Sequence, residues 1–237
     1  MLNILIVFFI LSVLLFFTWR FSRSRKIQFA GGLIYRIKTK EKVVALTFDD
    51  GPMPFFTEKV LEKLNTFGVK ATFFLNGNAI EENIGLAKKI VNQGHQIGNH
   101  TYSHKKMIFV SNEFVKDEIE KTNQLILKSG YKGEAIFRPP YGKKLFALPM
   151  YLKKHSIPTI MWDIEPEKYV DTTNPDNIVK YAVENTRPGS IILLHPMFES
   201  RINTIESIPL IVEKLLEEGY RFVTVSELIE IGGNNIN

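Results

Sequence analysis

From Lys42 to the C-terminus, short apolar runs alternate with amphipathic ones, and no other feature of the chain restricts its fold as much. Residues 43–48, 69–75, 95–99, 135–138, 157–162, 190–195 and 220–225 read as buried strands. Helical patterns separate them. After a Thr57 cap, Val60, Leu61, Leu64 and Phe67 share one face, and Gly68 suits the end of that helix. Residues 79–92, 111–129 and 144–155 are helical in period, the second stopped by Gly130. Asn174 caps and Pro175 begins a helix towards Thr186, residues 203–218 form another, and Ser226 caps a terminal one. About seven β-α units without a long linker imply an α/β fold, a parallel sheet with helices outside it. That number suits a barrel, complete or incomplete, with an open doubly wound sheet as the alternative.

Ahead of this pattern stands a different kind of segment. Residues 1–19 carry no charged side chain and are nearly all Leu, Ile, Val and Phe. As a helix they rise about 28 Å, close to the roughly 30 Å of a bilayer core, and they show no polar face. A transmembrane helix or uncleaved signal anchor is expected, because Thr18-Trp19-Arg20-Phe21 offers no pair of small residues for cleavage. Residues 20–41 then form a basic stalk or a lead-in, 42–232 the folded domain and 233–237 a tail.

Polar residues collect where the strands end. Thr47-Phe48-Asp49-Asp50-Gly51-Pro52 closes the first strand, and two adjacent carboxylates there repel one another. Taken alone it is an ordinary Asp-Gly-Pro turn. Asn99-His100-Thr101-Tyr102-Ser103-His104 closes the third, with two histidines four apart, a spacing that suits a metal on a helical turn. Arg138-Pro139-Pro140-Tyr141-Gly142, Trp162-Asp163 and His195-Pro196 end the next three. Each could be a turn or a cap, but five such motifs at five strand ends point to the face where β/α barrels carry their active sites. His95 and His155 lie outside these motifs and read as structural.

Chemistry follows from the residue types. One Asp with two His makes a three-ligand site that leaves a position open for water, and the chain has no cysteine to offer instead. A second carboxylate can act as general base on that water, and His195 is free to act as acid. Arg138 can hold a carboxylate ionised. This is equipment for metal-assisted hydrolysis of an amide or ester.

Four of these motifs, TFDDGP (47–52), HTYSH (100–104), RPPYG (138–142) and LLH (193–195), resemble those of the polysaccharide deacetylases, carbohydrate esterase family 4 or the NodB homology domain. The resemblance covers about residues 42–231, in order. It implies a deformed (β/α)7 barrel that removes N-acetyl groups from GlcNAc-type residues of a cell-wall or chitin-like glycan by way of a metal-activated water. It implies Asp49 as base, Asp50, His100 and His104 as metal ligands, His195 as acid and Arg138 as the group that orients Asp49. Tyr141, through its backbone N–H, would stabilise the oxyanion, and Trp162, Pro139 and Leu193 would join it in the substrate site. The cofactor implied is one divalent metal, Zn²⁺ first, with Co²⁺, Ni²⁺ or Mn²⁺ as alternatives. One motif departs. Where the family often has Asp-x-x-Asp-Trp, this chain aligns Glu165, Lys168 and Tyr169, so either Glu165 or Glu167 takes the tuning role beside His195, or that histidine is tuned differently.

The net charge of +5 raises nucleic acid as a partner until its distribution is counted. Residues 20–42 hold eight Lys and Arg against one Glu, whereas 43–237 hold 22 basic and 24 acidic residues. The excess sits in the stalk, where it can meet anionic lipid headgroups, and no nucleic-acid partner is expected. The expected partners are a glycan and, through the helix, the membrane. Basic residues following the helix favour a cytoplasmic domain. A glycan outside the cell places the domain on the extracytoplasmic side, and that placement is the one expected. Two other functions fit the same residues: a tethered glycan-binding protein with weak or no turnover, and a metal-dependent amidase of a non-sugar amide. Oligomeric state is not readable.

Overall fold

The structure, a computed structural model, describes residues 2–233, so the last four residues of the expected tail lie outside the described residues. In chain order the strands are β1 (Leu33–Ile34), β2 (Val43–Asp49), β3 (Thr72–Leu75), β4 (Gln96–Asn99), β5 (Thr159–Ile160), β6 (Ile191–Leu194) and β7 (Arg221–Phe222). The helices are α1 (Leu2–Ser22), α2 (Phe56–Thr66), α3 (Gly77–Glu82), α4 (Ile84–Asn92), α5 (Asn112–Lys128), α6 (Ala147–Lys154), α7 (Pro175–Asn185), α8 (Ile202–Glu217) and α9 (Val225–Gly232).

All named strand pairs are parallel, as the alternation requires. The five-stranded sheet runs β4-β3-β2-β6 with β7 also on β2, and β1 pairs β5 separately. The side chains of β2 divide by period two. Val44, Leu46 and Phe48 join a cluster with Leu64, Ile90 and Ile208 under the outer helices. Val43 and Ala45 turn the other way, into a cluster with Phe74, Trp162, Ile191 and Leu193. Thr47 and Asp49 follow that inner parity.

Register then places the site. Phe48 pairs Leu194 and Leu75 pairs Asn99, so the chain brings Asp49 and Asp50, His100 and His195 to one edge of the sheet.

Several elements differ from expectation. The strand at 135–138 reduces to Phe137, which bridges Asn99 on one side and Thr159 on the other. Pro139 and Pro140 lack the N–H that would extend the ladder. Pro158 likewise shortens the strand at 157–162 to β5. The helix at 79–92 divides at Asn83, whose backbone leaves the helical region (φ −130°, ψ 45°). Thr57 lies inside α2, and its hydroxyl accepts the Met53 N–H at 2.8 Å. Thr224, not Ser226, caps α9, in a capping box with Glu227. β1 was unforeseen; two buried residues carry too little pattern to read.

The N-terminal helix is longer than the uncharged stretch, reaching Ser22, and residues Ile4–Ser22 have a mean hydropathy of 2.5 with none of that stretch buried. It could be a membrane span or a signal sequence. The segment after it is no free stalk. Lys144 donates to the Ser22 and Ser24 carbonyls at 3.0 and 2.5 Å, and Thr159 N–H donates to Gly32 O at 3.0 Å.

Candidate active site

Arg138 anchors the centre. Its side chain is fully buried at the end of the Phe137 bridge. Nη1 donates to Asp49 Oδ1 at 2.6 Å and to Thr47 Oγ1 at 2.9 Å, while Nε and Nη2 reach the Ile160 and Met161 carbonyls at 3.3 Å. The guanidinium also lies 4.0 Å from the Phe74 ring centre. Burial alone would raise the Asp49 carboxyl; Arg138, then His100 and His195, more than offset it and hold Asp49 below the ordinary carboxylate value. Breaking such a buried pair by removing one partner costs about 3–5 kcal/mol.

His100, His104 and Asp50 converge beside it. His100 Nδ1 meets the Arg138 carbonyl at 2.7 Å, which makes Nδ1 the protonated nitrogen and turns the Nε2 lone pair towards the acids. That Nε2 lies 3.6 Å from Asp49 Oδ2 and 4.0 Å from Asp50 Oδ1. His104 Nε2 lies 3.2 Å from the same Asp50 oxygen. One ligand atom from each of Asp50, His100 and His104 falls within 4.8 Å of the others. Burial and then His100 lower the His104 pKa, favouring the neutral imidazole that binds metals. Two imidazoles and one carboxylate suit a borderline divalent ion, so the donor set fits the expected metal.

The backbone around the site is unusual. Asp50, Thr101, His104 and Tyr141 have φ of 71°, 67°, 55° and 59°. Non-glycine residues in this region cost of order 1–3 kcal/mol each and persist where the surroundings fix them. Here the surroundings include the Asn99 Oδ1 bond to Thr101 N–H at 2.8 Å and the Thr101 Oγ1 bond to His104 N–H at 3.1 Å.

His195 faces Asp49 from β6. Its Nδ1 meets Glu167 Oε2 at 2.6 Å, and its N–H donates to both carboxylate oxygens of Glu167 at 3.1 and 3.0 Å. Thr204 Oγ1 donates to Glu167 Oε1 at 2.8 Å. Burial would lower the imidazole pKa; Glu167, with Asp49 and Asp50, overrides it and pushes His195 up to about 9. For Glu167, burial raises and the His195 bond lowers, with a net depression. The carboxylate bonded to His195 is therefore Glu167 and not Glu165. It sits in a 3-10 turn, Pro166–Lys168, that turns Glu167 inward and leaves Lys168 exposed. Glu165 instead accepts the Trp162 Nε1–H at 2.9 Å, and Tyr169 stacks on Tyr181 at 5.5 Å. The only sequence signal for Glu167 was a carboxylate in that segment.

Asp49, Asp50, His100, His104 and His195 line one cleft of about 560 Å³. Tyr141 and Trp162 line it too, the Tyr141 ring 4.7 Å from His104. Arg138 lies behind Asp49. Leu193 and Pro139 do not reach the cleft. Leu193 shares the inner face of β6 with His195 but lies one layer deeper, fully buried, and Pro139 is buried beneath the Pro140–Gly142 turn. His95, expected to be structural, accepts the Ala71 N–H at 3.2 Å, and burial holds it down to about 4. Residues missed from the sequence include Phe198 and Arg201, and Arg23 and Arg25 of the lead-in. Nothing distinguished these arginines from ordinary flanking charge.

The family model described as polysaccharide deacetylase matches residues 36–173. A peptidoglycan-N-acetylglucosamine deacetylase of Bacillus cereus is 34% identical over 207 residues, 86% of this chain and 96% of the relative. The crystal structure of the Bc1960 peptidoglycan N-acetylglucosamine deacetylase superposes with a TM-score of 0.78 at 33% identity, covering 83% of this chain and 92% of that one. BA3943, a CE4 family pseudoenzyme from Bacillus anthracis, superposes with a TM-score of 0.75 at 31% identity, covering 82% and 68%.

Proposed function

This chain belongs to the polysaccharide deacetylase family, carbohydrate esterase family 4, and we propose that it is a metal-dependent hydrolase removing N-acetyl groups from GlcNAc-type residues of a cell-wall glycan. The observation that carries this reading is the convergence, in one cleft, of the Asp50–His100–His104 triad with an Arg138-held carboxylate and a Glu167-held imidazole.

The roles follow from the protonation states. A divalent ion held by Asp50, His100 and His104 would lower the pKa of a water and polarise the acetamide carbonyl. Asp49, kept ionised, is placed to accept the proton of an attacking water. His195, kept protonated, gives its proton to the leaving amine nitrogen, and Glu167 holds the imidazolium in orientation. Arg138 positions Asp49. The backbone N–H of Tyr141, in its left-handed turn, is assigned to the carbonyl oxygen as negative charge develops there. Trp162 contributes to the substrate wall. Zn²⁺ is the assigned ion on the donor set, with Co²⁺, Ni²⁺ and Mn²⁺ as substitutes.

The sheet is read as a deformed (β/α)7 barrel. The double bridge of Phe137 and the Ile164–Ile192 bridge support closure between the sheet and the β1–β5 pair. The folded domain takes in β1 and Ile37 of the lead-in together with residues 42–232, and it is read as tethered by the N-terminal helix as a single-pass membrane protein with its domain outside the cytoplasm, where a cell-wall glycan lies. The reading of a glycan-binding protein without turnover rested on the altered fifth-strand motif, and Glu167 removes that motive by placing a carboxylate on His195.

The test is acetate release by the Zn²⁺-loaded chain from N-acetylglucosamine oligomers, peptidoglycan and a small N-acetyl amide. Release from the glycans alone is expected; release from the small amide alone would contradict the reading.

A further inference from the structure

The family match begins at residue 36, but the wall of the cleft begins earlier. Arg23 and Arg25, from the segment between α1 and β1, line the same cavity as Asp49, Asp50 and His195. Two main-chain N–H groups, of Lys144 and Thr159, and the Lys144 ammonium pin this segment to the domain through the carbonyls of Ser22, Gly32 and Ser24, and so place the two arginines. Arg25 Nη1 lies 3.6 Å from Glu165, Nη2 donates to Tyr169 Oη at 3.1 Å, and the guanidinium lies 5.7 Å from the centre of the Trp162 ring. The other neighbour of that ring is the Arg138 guanidinium, at 5.5 Å, which bonds Asp49. One indole separates Arg25 from the centre of the site.

The charge of the cleft does not balance. Lys143, Lys168 and Arg201 line it as well. Among the described residues, Arg23, Lys143, Lys168 and Arg201 form no ion pair. The lining carboxylates are engaged: Asp49 with Arg138, Glu165 with Arg25, and Asp50 in the metal triad. The domain's own lining balances, Lys143, Lys168 and Arg201 against Asp49, Asp50 and Glu165, so the excess in the cleft is brought by Arg23 and Arg25 of the lead-in. A neutral sugar chain offers these cations only neutral acceptor oxygens, whereas a carboxylate on the glycan can pair with an arginine fork in a charge-assisted bond.

We propose that the segment after the apolar helix is a working part of the cleft, in which Arg23 and Arg25 hold a carboxylate carried by the glycan beside the reacting amide. Arg23 and Arg25 are positioning residues that select an acidic glycan over a neutral one. The inference rests on the deacetylase reading above. The rival occupant is a lipid phosphate, because a second cavity on the helix side is lined by Trp19, Arg20 and Lys26 and shares Arg23, Arg25 and Lys168.

The experiment uses the full Zn²⁺-loaded chain in neutral detergent micelles. Binding of a peptidoglycan-derived tetrasaccharide with free lactyl carboxylates, and of its methyl ester, is measured by calorimetry, with acetate release followed in parallel. The acid is expected to bind about tenfold more tightly than the ester at low salt, with the gap closing as salt screens the charges. Arg23→Gln with Arg25→Gln should bring the two within about twofold, while the paired Lys substitutions keep part of the gap. Arg23→Gln alone, which removes no ion pair and leaves the Lys144 and Thr159 bonds to the segment in place, should narrow the gap even where the double variant unfolds. Equal binding of acid and ester by the native chain overturns the proposal, as does a gap untouched by these substitutions. A gap erased by phosphatidylglycerol in the micelles assigns the cluster to lipid headgroups and also overturns it. Discrimination in binding without any acetate release leaves this inference standing and refutes the deacetylase reading instead.

Discussion

Glu167 and His195 show how one side chain sets the protonation state of another. The imidazole rises from its ordinary 6.5 to about 9, so it stabilises the folded chain fully below pH 6.5, and this contribution is lost as pH rises through about 9. Asp49 moves the other way; its contribution is present above 3.8 and lost as pH falls through its depressed value. Asp49 is thus ionised and His195 protonated around neutrality, as their proposed roles of base and acid require. In the metal-free chain, NMR titration should find His195 changing charge near 9, and Glu167→Gln should move that midpoint down by more than one unit. The same substitution should lower kcat by about 10²-fold or more in the loaded enzyme. A midpoint unmoved in the variant would remove Glu167 from this role. At this scale the sequence was legible where a residue type has one chemical use. Asp49, Asp50, His100, His104, Arg138 and His195 meet as the motifs suggested. It failed where orientation decides. Alignment set Lys168 opposite the family's acid and left Glu165 or Glu167 open for its place, and only the turn of three residues decides for Glu167. Leu193 came into the substrate site only through the family resemblance, and two residues before His195 on the same face of the strand it is buried a layer below.

Elements were legible when long and periodic. β2 is buried along all seven residues and lies between β3 and β6, as its continuous apolar run suggested. α5 begins at a Ser111 cap that accepts the Phe114 N–H, and α7 at the Asn174 cap before Pro175. What stayed hidden depends on partners far along the chain. Phe137 counts as a strand residue only because Asn99 and Thr159 flank it, and β1 exists only against β5. Gly189 is a further case. Its φ is +81°, and a Cβ there would lie 1.9 Å from the Ile37 carbonyl oxygen, which is main chain and cannot swing aside. Gly189 O also accepts the Ile37 N–H at 2.9 Å, tying the lead-in to the start of β6. Gly189→Ala should destabilise the domain by about 1–3 kcal/mol or more, read as a lowered denaturant midpoint. An unchanged midpoint would mean that this close approach does not constrain the fold.

For the whole molecule, the sequence separated an apolar helix from an α/β domain and left the residues between them as a basic stalk or a lead-in. The structure folds that segment onto the domain through Lys144, buried at 1% exposure and lowered by burial to about 8. The segment after the apolar helix and the cleft are therefore one body, and under the proposed tethering the side of the membrane on which the helix leaves the domain decides what the cleft meets. The chain has no cysteine, so a single Lys132→Cys, at an exposed position, reports topology cleanly. Labelling by an impermeant thiol reagent on intact cells is the expected outcome; protection until lysis would place the domain in the cytoplasm, as the flanking charges favour. The central claim, that Asp50, His100 and His104 hold a metal on which amide hydrolysis depends, is tested most directly by acetate release from N-acetylglucosamine oligomers after chelation and reloading. The account predicts no release from the stripped chain, recovery with Zn²⁺ or Co²⁺, and none from Asp50→Ala under any metal. Equal release from the stripped chain, or full activity in Asp50→Ala, would contradict it.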